Sequence, residues 1–203
     1  MSRQKNLKRN LLICLLAGSA VMYTLPLHAA TSVVANNALP DFNSVLAGQL
    51  KDGKPDTNGL VMDVTQTTQN AVIKWNSFDI GGSATVNFDY TGKTDFNTLN
   101  YVNSASASQI YGTINAQHEN YNGNIFVVNP AGVQIGPSAQ INVGSLYISS
   151  NTLADNDITN FYNNAHNDNF VLGGARNADA ALMSLGNINA TNVTFEGDGR
   201  IVI

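Results

Sequence analysis

The sequence predicts an all-β fold made of many short strands joined at tight corners. Three observations lead there. Helix signals are scarce, whereas runs rich in Val, Ile, Thr, Phe and Tyr recur throughout, bounded by Gly, Asn, Asp and Pro. Only 12% of residues are charged beside an ordinary hydrophobic fraction of 43%, and a typical globular chain carries roughly 25% charge. The polarity lies instead in neutral side chains, with 29 asparagines and 17 glycines. Asn and Gly tolerate the left-handed backbone of tight corners, and stacked Asn side chains share amide hydrogen bonds along a β-stack. A parallel β-helix and an antiparallel sandwich both satisfy these facts. The residue pattern alone does not choose between them.

The first 30 residues read as a secretory signal peptide. Arg3, Lys5, Lys8 and Arg9 form a basic start, residues 11–25 a mostly apolar core, and Leu27-His28-Ala29-Ala30 a small-residue cleavage region. That core is shorter than the roughly 20 residues of a membrane span, and Pro26 closes it. Cys14 sits mid-core and does not look like a lipidation site. Residues 31–203 then make up one domain. Cleavage after Ala30 leaves 173 residues with six basic and 14 acidic side chains and no cysteine. Such a chain has no basic footprint for nucleic acid. It forms no disulfide and no thiolate metal site.

Within the domain the best helix signal is residues 42–50, with Asp41 as N-cap after Pro40. Strands are expected at 60–64, 71–75, 84–89, 109–116, 124–128, 133–135 and 140–149. Three Ile-Asn pairs begin at residues 114, 141 and 188, spaced by 27 and 47. The first interval fits one turn of a solenoid and the second about two. Residues 151–180 are crowded with Asn and poor in aliphatics. They read as an excursion that returns to the coil at 181–185. Residues 199–203 are strand material again, as expected for the amino-terminal piece of a longer protein, since an open β-edge pairs with further chain.

Signs of catalysis are weak. His118 and His166 lie in polar, Asn-rich surroundings and read as solvated loop residues. There is no Gly-x-Ser-x-Gly elbow, and no glycine-rich phosphate loop leads into a helix. Asp155-Asn156-Asp157 lacks the Gly and terminal Glu of a calcium loop. No metal and no cofactor are expected. A polysaccharide-cleaving β-helix needs clustered carboxylates or a basic residue facing a groove. Here the Glu residues are two, Glu119 and Glu196, and beyond position 93 the basic residues are Arg176 and Arg200.

An ordered set of segments carries a resemblance. Val72-Ile73-Lys74-Trp75-Asn76-Ser77-Phe78-Asp79-Ile80-Gly81 precedes Ala84-Thr85-Val86-Asn87-Phe88 and Gln109-Ile110-Tyr111-Gly112-Thr113-Ile114. Then come Asn124-Ile125-Phe126-Val127-Val128-Asn129-Pro130-Ala131-Gly132-Val133-Gln134-Ile135-Gly136 and Ala139-Gln140-Ile141-Asn142-Val143-Gly144-Ser145-Leu146. From about residue 35 onward this resembles the amino-terminal secretion domain of the filamentous haemagglutinin family, the exoproteins of two-partner secretion in Gram-negative bacteria.

The resemblance implies a right-handed parallel β-helix with an amino-terminal cap and extra-helical loops. It implies a non-catalytic module that directs export of an adhesin-type exoprotein through the periplasm to the cell surface or the medium. The implied partner is an outer-membrane β-barrel transporter with periplasmic recognition modules, and a host or bacterial surface is a further one. A short surface-binding adhesin without a transporter is the alternative. Two departures stand out. Ala131 replaces the second Asn of the family's Asn-Pro-Asn-Gly, and the family's Asn-Pro-Asn-Leu motif is not found.

The site candidates follow. Asn129, Pro130, Ala131 and Gly132 have the preferences of a type I turn, and the resemblance adds a role in secretion. Trp75, the single Trp, reads as a packing anchor under the cap, with Phe78 and Ile80 as core. Gln109, Gly112 and Gly136 read as corner or stacking positions.

Overall fold

The computed structural model describes residues 34–154, 156–165 and 172–202. The expected leader, Asp155 and His166 lie outside them. The chain opens with β1 (Asp41–Ala47), a 3-10 turn (Lys51–Gly53), β2 (Asp56–Asn58), β3 (Val61–Gln66), β4 (Asn70–Ser77), β5 (Thr85–Tyr90) and β6 (Phe96–Val102). It continues through β7 (Ser108–Ile110), β8 (Thr113–Asn115), β9 (Gly123–Val128), β10 (Gly132–Ile135), β11 (Gln140–Asn142) and β12 (Ser145–Ser149). Helix α1 (Asp157–Asn164) follows, then β13 (Ala181–Ser184), β14 (Asn187–Asn189), β15 (Asn192–Glu196) and β16 (Ile201–Val202).

These strands form three sheets that the chain visits in rotation. One face runs β1-β4-β6-β9-β12-β15, a second β16-β13-β10-β7, and a third β14-β11-β8-β5-β3-β2. Successive circuits pair in parallel, so sequence neighbours lie on different faces. That is a parallel β-helix, and it excludes the antiparallel sandwich. The first Ile-Asn interval is one circuit, because Ile114 lies opposite Ile141. The second is corrected by the register. β11 pairs directly with β14, placing Ile141 opposite Ile188. The 47 residues are therefore one circuit enlarged by an excursion, not two circuits.

Aliphatic side chains stack inward. Met62, Val86, Ile114 and Ile141 occupy one register on the third face, each at most 5% exposed. Burying a side chain of this kind stabilises by roughly 1.5–3 kcal/mol. Asparagine does the same work outside. Asn87 donates to Asp63, Asn115 to Asn87 and Asn142 to Asn115 at 2.9–3.0 Å. A second ladder runs Asn124 to Asn97 to Asn70 at 3.0 and 2.9 Å. A carboxamide can donate to one neighbour while accepting from the other, so a column of Asn satisfies itself circuit by circuit.

The helix expected at 42–50 is instead β1. It pairs antiparallel with β4 from Asp41 to Ala47, turning Phe42 and Val45 toward the core. Their spacing of three suits a helix; in the strand a bulge between Phe42 and Ser44 brings both to one face, and the free edge of β4 decides for the strand. Gly48, at φ +78°, ends it. β2 covers the edge of β3 in the same antiparallel way. Together β1 and β2 form the amino-terminal cap. The expected strands at 109–116 and 140–149 each divide at a corner into two.

The excursion packs on the outside of the first face. Phe161 of α1 joins Val72, Leu99 and Val128 in a second buried cluster and meets Phe126 edge-on at 5.0 Å. Asn70 donates to the Tyr162 carbonyl at 2.8 Å. Buried Asp157 ties the excursion to itself, accepting from the amides of Ala154 at 2.6 Å and Gly173 at 3.0 Å.

Candidate functional site

Asn129-Pro130-Ala131-Gly132 forms the corner between β9 and β10, where the first face passes to the second. The Gly132 amide donates to the Asn129 carbonyl at 2.8 Å, closing a four-residue turn. Asn129 is 0% exposed and spans three circuits. Its side-chain NH2 donates to the Ser106 carbonyl at 3.1 Å and to Ser108 Oγ at 2.9 Å. Its Oδ1 accepts from the Ala131 amide at 2.9 Å. Its own amide donates to the Ser149 carbonyl of the next circuit at 2.9 Å. Two donors and an acceptor on one short side chain are what this position uses. Asp lacks the donors and Ser lacks the reach. Pro130 and Ala131 remain partly exposed, so the corner presents a rigid two-residue tip.

Gly132 is required by geometry. It sits at φ +108°, and a Cβ there would lie 2.5 Å from the Ala181 carbonyl oxygen. Gly112 is constrained by space, since its Cβ would meet the carbonyls of Ala84 and Gly81 at 2.3 Å. Gly136 faces the Tyr111 ring.

The remaining candidates lie away from this corner. Trp75 is 0% exposed and sits beneath β1. Its ring meets Phe42 edge-on at 5.9 Å and Phe78 at 5.4 Å, and its Nε1 donates to Asn100 Oδ1 at 3.0 Å. Phe78 enters the interior just after β4 ends. Gln109 lies in β7. Its amide donates to Asp79 at 2.8 Å, and its Oε1 accepts from the Val34 amide at 3.2 Å. Burial pushes the Asp79 carboxyl above the usual range, against the pull of that amide.

One cluster escaped the sequence reading. His118 is no solvated loop residue. Its ring stacks on Tyr121 at 4.3 Å, and its Nε2 lies 3.0 Å from the Phe88 carbonyl. Tyr121 OH donates to Asp89 Oδ1 at 2.7 Å, and Lys93 Nζ to Asp89 Oδ2 at 2.7 Å. Desolvation works to raise the Asp89 carboxyl. The bonds from Lys93, Tyr121 and the Tyr90 amide outweigh it and hold the carboxyl below its ordinary value. A lowered carboxylate stabilises fully above its unfolded pKa and loses that contribution as pH falls through the folded one. Thermal unfolding between about pH 6 and pH 2.5 should therefore fall less steeply for Asp89→Asn than for the parent chain. Equal slopes would show that the cluster adds nothing. Among the described residues, no three His, Cys, Asp or Glu side chains gather as metal ligands do.

Residues 37–198 match the family described as the TPS secretion domain. The chain belongs to this family. Such domains are the export modules of two-partner secretion exoproteins, which cross the outer membrane through a partner transporter. Two heme/hemopexin-binding proteins of Haemophilus influenzae are each 36% identical to it, one over 117 residues and the other over 92. Those stretches are 57% and 45% of this chain, but only 12% and 9% of the relatives' own lengths. In structure the TPS domain resembles the HMW1 secretion domain of Haemophilus influenzae, with a TM-score of 0.60 and 23% identity. The likeness covers 80% of this chain and 42% of that one. It concerns the fold, a β-helix.

Proposed function

We propose that the Asn129-Pro130-Ala131-Gly132 corner is the element of this TPS domain that its transporter's periplasmic modules recognise. The observation behind this is the use of Asn129. Every polar group of its side chain is bonded within the protein, the NH2 to the preceding circuit and Oδ1 to its own turn. The Pro130-Ala131 tip is thereby held rigid at the surface, and a preorganised tip spares a partner the entropic cost of ordering it. Residues 1–30 act first, as the leader that brings the chain to the periplasm.

The module is non-catalytic in this reading. Arg176, one of the two basic residues beyond position 93, is taken up by Glu196 at 3.7 Å and Asp198 at 3.0 Å.

The test is export of the whole chain from cells with and without a two-partner transporter. The parent should reach the medium only with the transporter and begin at Ala30 or Thr31. Asn129→Ala should reduce that export at least tenfold, the effect of about 1.4 kcal/mol. Unchanged export of a folded Asn129→Ala chain would refute the reading.

A further inference from the structure

We propose that Asn177 is a positioning residue for the Asn129–Gly132 corner, so that the determinant spans two successive circuits. The role in export rests on the reading above, whereas the positioning itself does not. Asn177 lies 48 residues beyond Asn129, on the far side of the excursion. Its Nδ2 donates to the Pro130 carbonyl at 2.6 Å. Pro130 has no N–H, so this bond occupies its one backbone polar group.

The arrangement repeats that of Asn129 one circuit earlier. There, Oδ1 accepts from the amide two residues on, and Nδ2 reaches a carbonyl of the preceding corner. At Asn177, Oδ1 accepts from the Asp179 amide at 3.0 Å, again two residues on. Nδ2 again reaches the preceding corner. The side chain thus bends its own chain while gripping the turn below.

Position makes this grip consequential. The excursion's two ends are joined where Thr152 and Ala175 exchange backbone and hydroxyl bonds at 2.8 Å. Beyond them Arg176 pairs with Asp198 at 3.0 Å, and Asn177 is the anchor that reaches the Asn129 corner before the coil resumes. Four residues later comes Ala181, the first residue of β13, opposite Gly132. The chain must re-enter in this register after a long detour. A slip of one residue would turn every side chain of β13 to the wrong face. The bond to Pro130 references the returning strand to the corner, and it holds the corner against the returning strand.

Two variants separate the bonds. Asn177→Ala removes both. Asn177→Asp keeps an acceptor for the Asp179 amide and loses the donor to Pro130. Amide hydrogen exchange is read in the purified chain at Ala131 and Gly132, both of which donate to Asn129. Val72 and Ile73 in β4 report whether the coil is intact. Both variants should lose about tenfold in protection at the corner, the scale of one hydrogen bond, with β4 unchanged. Both should also show reduced transporter-dependent export. Parent-like corner protection in Asn177→Asp would overturn the proposal, leaving only a local turn at Asp179. Lost protection with normal export, when Asn129→Ala fails to export, would overturn the two-circuit determinant. If Asn129→Ala exports normally, the reading of the corner as the recognition element falls. The exchange result then decides the positioning role alone.

Discussion

Trp75→Ala should cost about 3–5 kcal/mol of folding free energy, as large core truncations of aromatic residues do. Two losses combine at this site. The cavity opens between Phe42 of the cap and Phe78 of the coil, so the edge-on contacts on both sides of the ring vanish together. Buried Asn100 also loses the indole N–H that its Oδ1 accepts, and an orphaned buried acceptor costs about 1–3 kcal/mol. Trp75→Phe separates the terms, restoring most of the volume while leaving Asn100 unpaired. It should fall between the parent and Trp75→Ala. Chemical denaturation followed by far-UV circular dichroism is the measurement, because the chain has a single Trp and its fluorescence disappears with it. A Trp75→Ala chain within about 1 kcal/mol of the parent would show that the cap does not depend on this anchor.

Gly132→Ala should be nearly as damaging and far more local. The backbone there is held at φ +108°, a conformation that costs a residue with a Cβ about 1–3 kcal/mol. The new methyl would also press on the Ala181 carbonyl from 2.5 Å. The strand cannot rotate away, because Gly132 through Ile135 pair with Ala181 through Ser184. Expected results are a loss of about 3 kcal/mol or more and early proteolytic cleavage within 151–180 as β13 detaches, with β3 to β6 still protected. Cleavage spread evenly along the chain would mean that the corner and the re-entry are not coupled.

What the sequence makes legible is a matter of side-chain chemistry. Strands β3, β5 and β9 alternate or run apolar in the ordinary way and stand where the pattern places them. β6 was invisible because Asn97, Thr98 and Asn100 are buried in it. Three buried polar residues in a row of seven look like loop unless their partners are known, and those partners lie one circuit away in sequence. β1 misled for a related reason. Its spacing permits a helix, and the edge that makes it a strand comes from β4, some 30 residues later. The Asn129 corner was readable as a turn because its signals are local. Asn177 carried no such signal. Its partner is set by where an excursion of arbitrary length happens to return, and spacing holds no record of that. The Asp89–Tyr121 cluster was hidden likewise, split between the end of β5 and a loop of the next circuit.

The asparagine columns have a consequence for where this protein works. Apart from Asp63 at one end, the two ladders consist of neutral carboxamides. Carboxamides neither gain nor lose protons across the range in which proteins live, and dissolved ions do not screen them as they screen exposed ion pairs. The share of inter-circuit cohesion that these carboxamides supply therefore does not depend on acidity or salinity, unlike the share held by the Asp89 cluster. An exoprotein leaves the buffered cell for surroundings its producer does not control. A spine of uncharged amides supplies the same cohesion in brine, fresh water or mild acid.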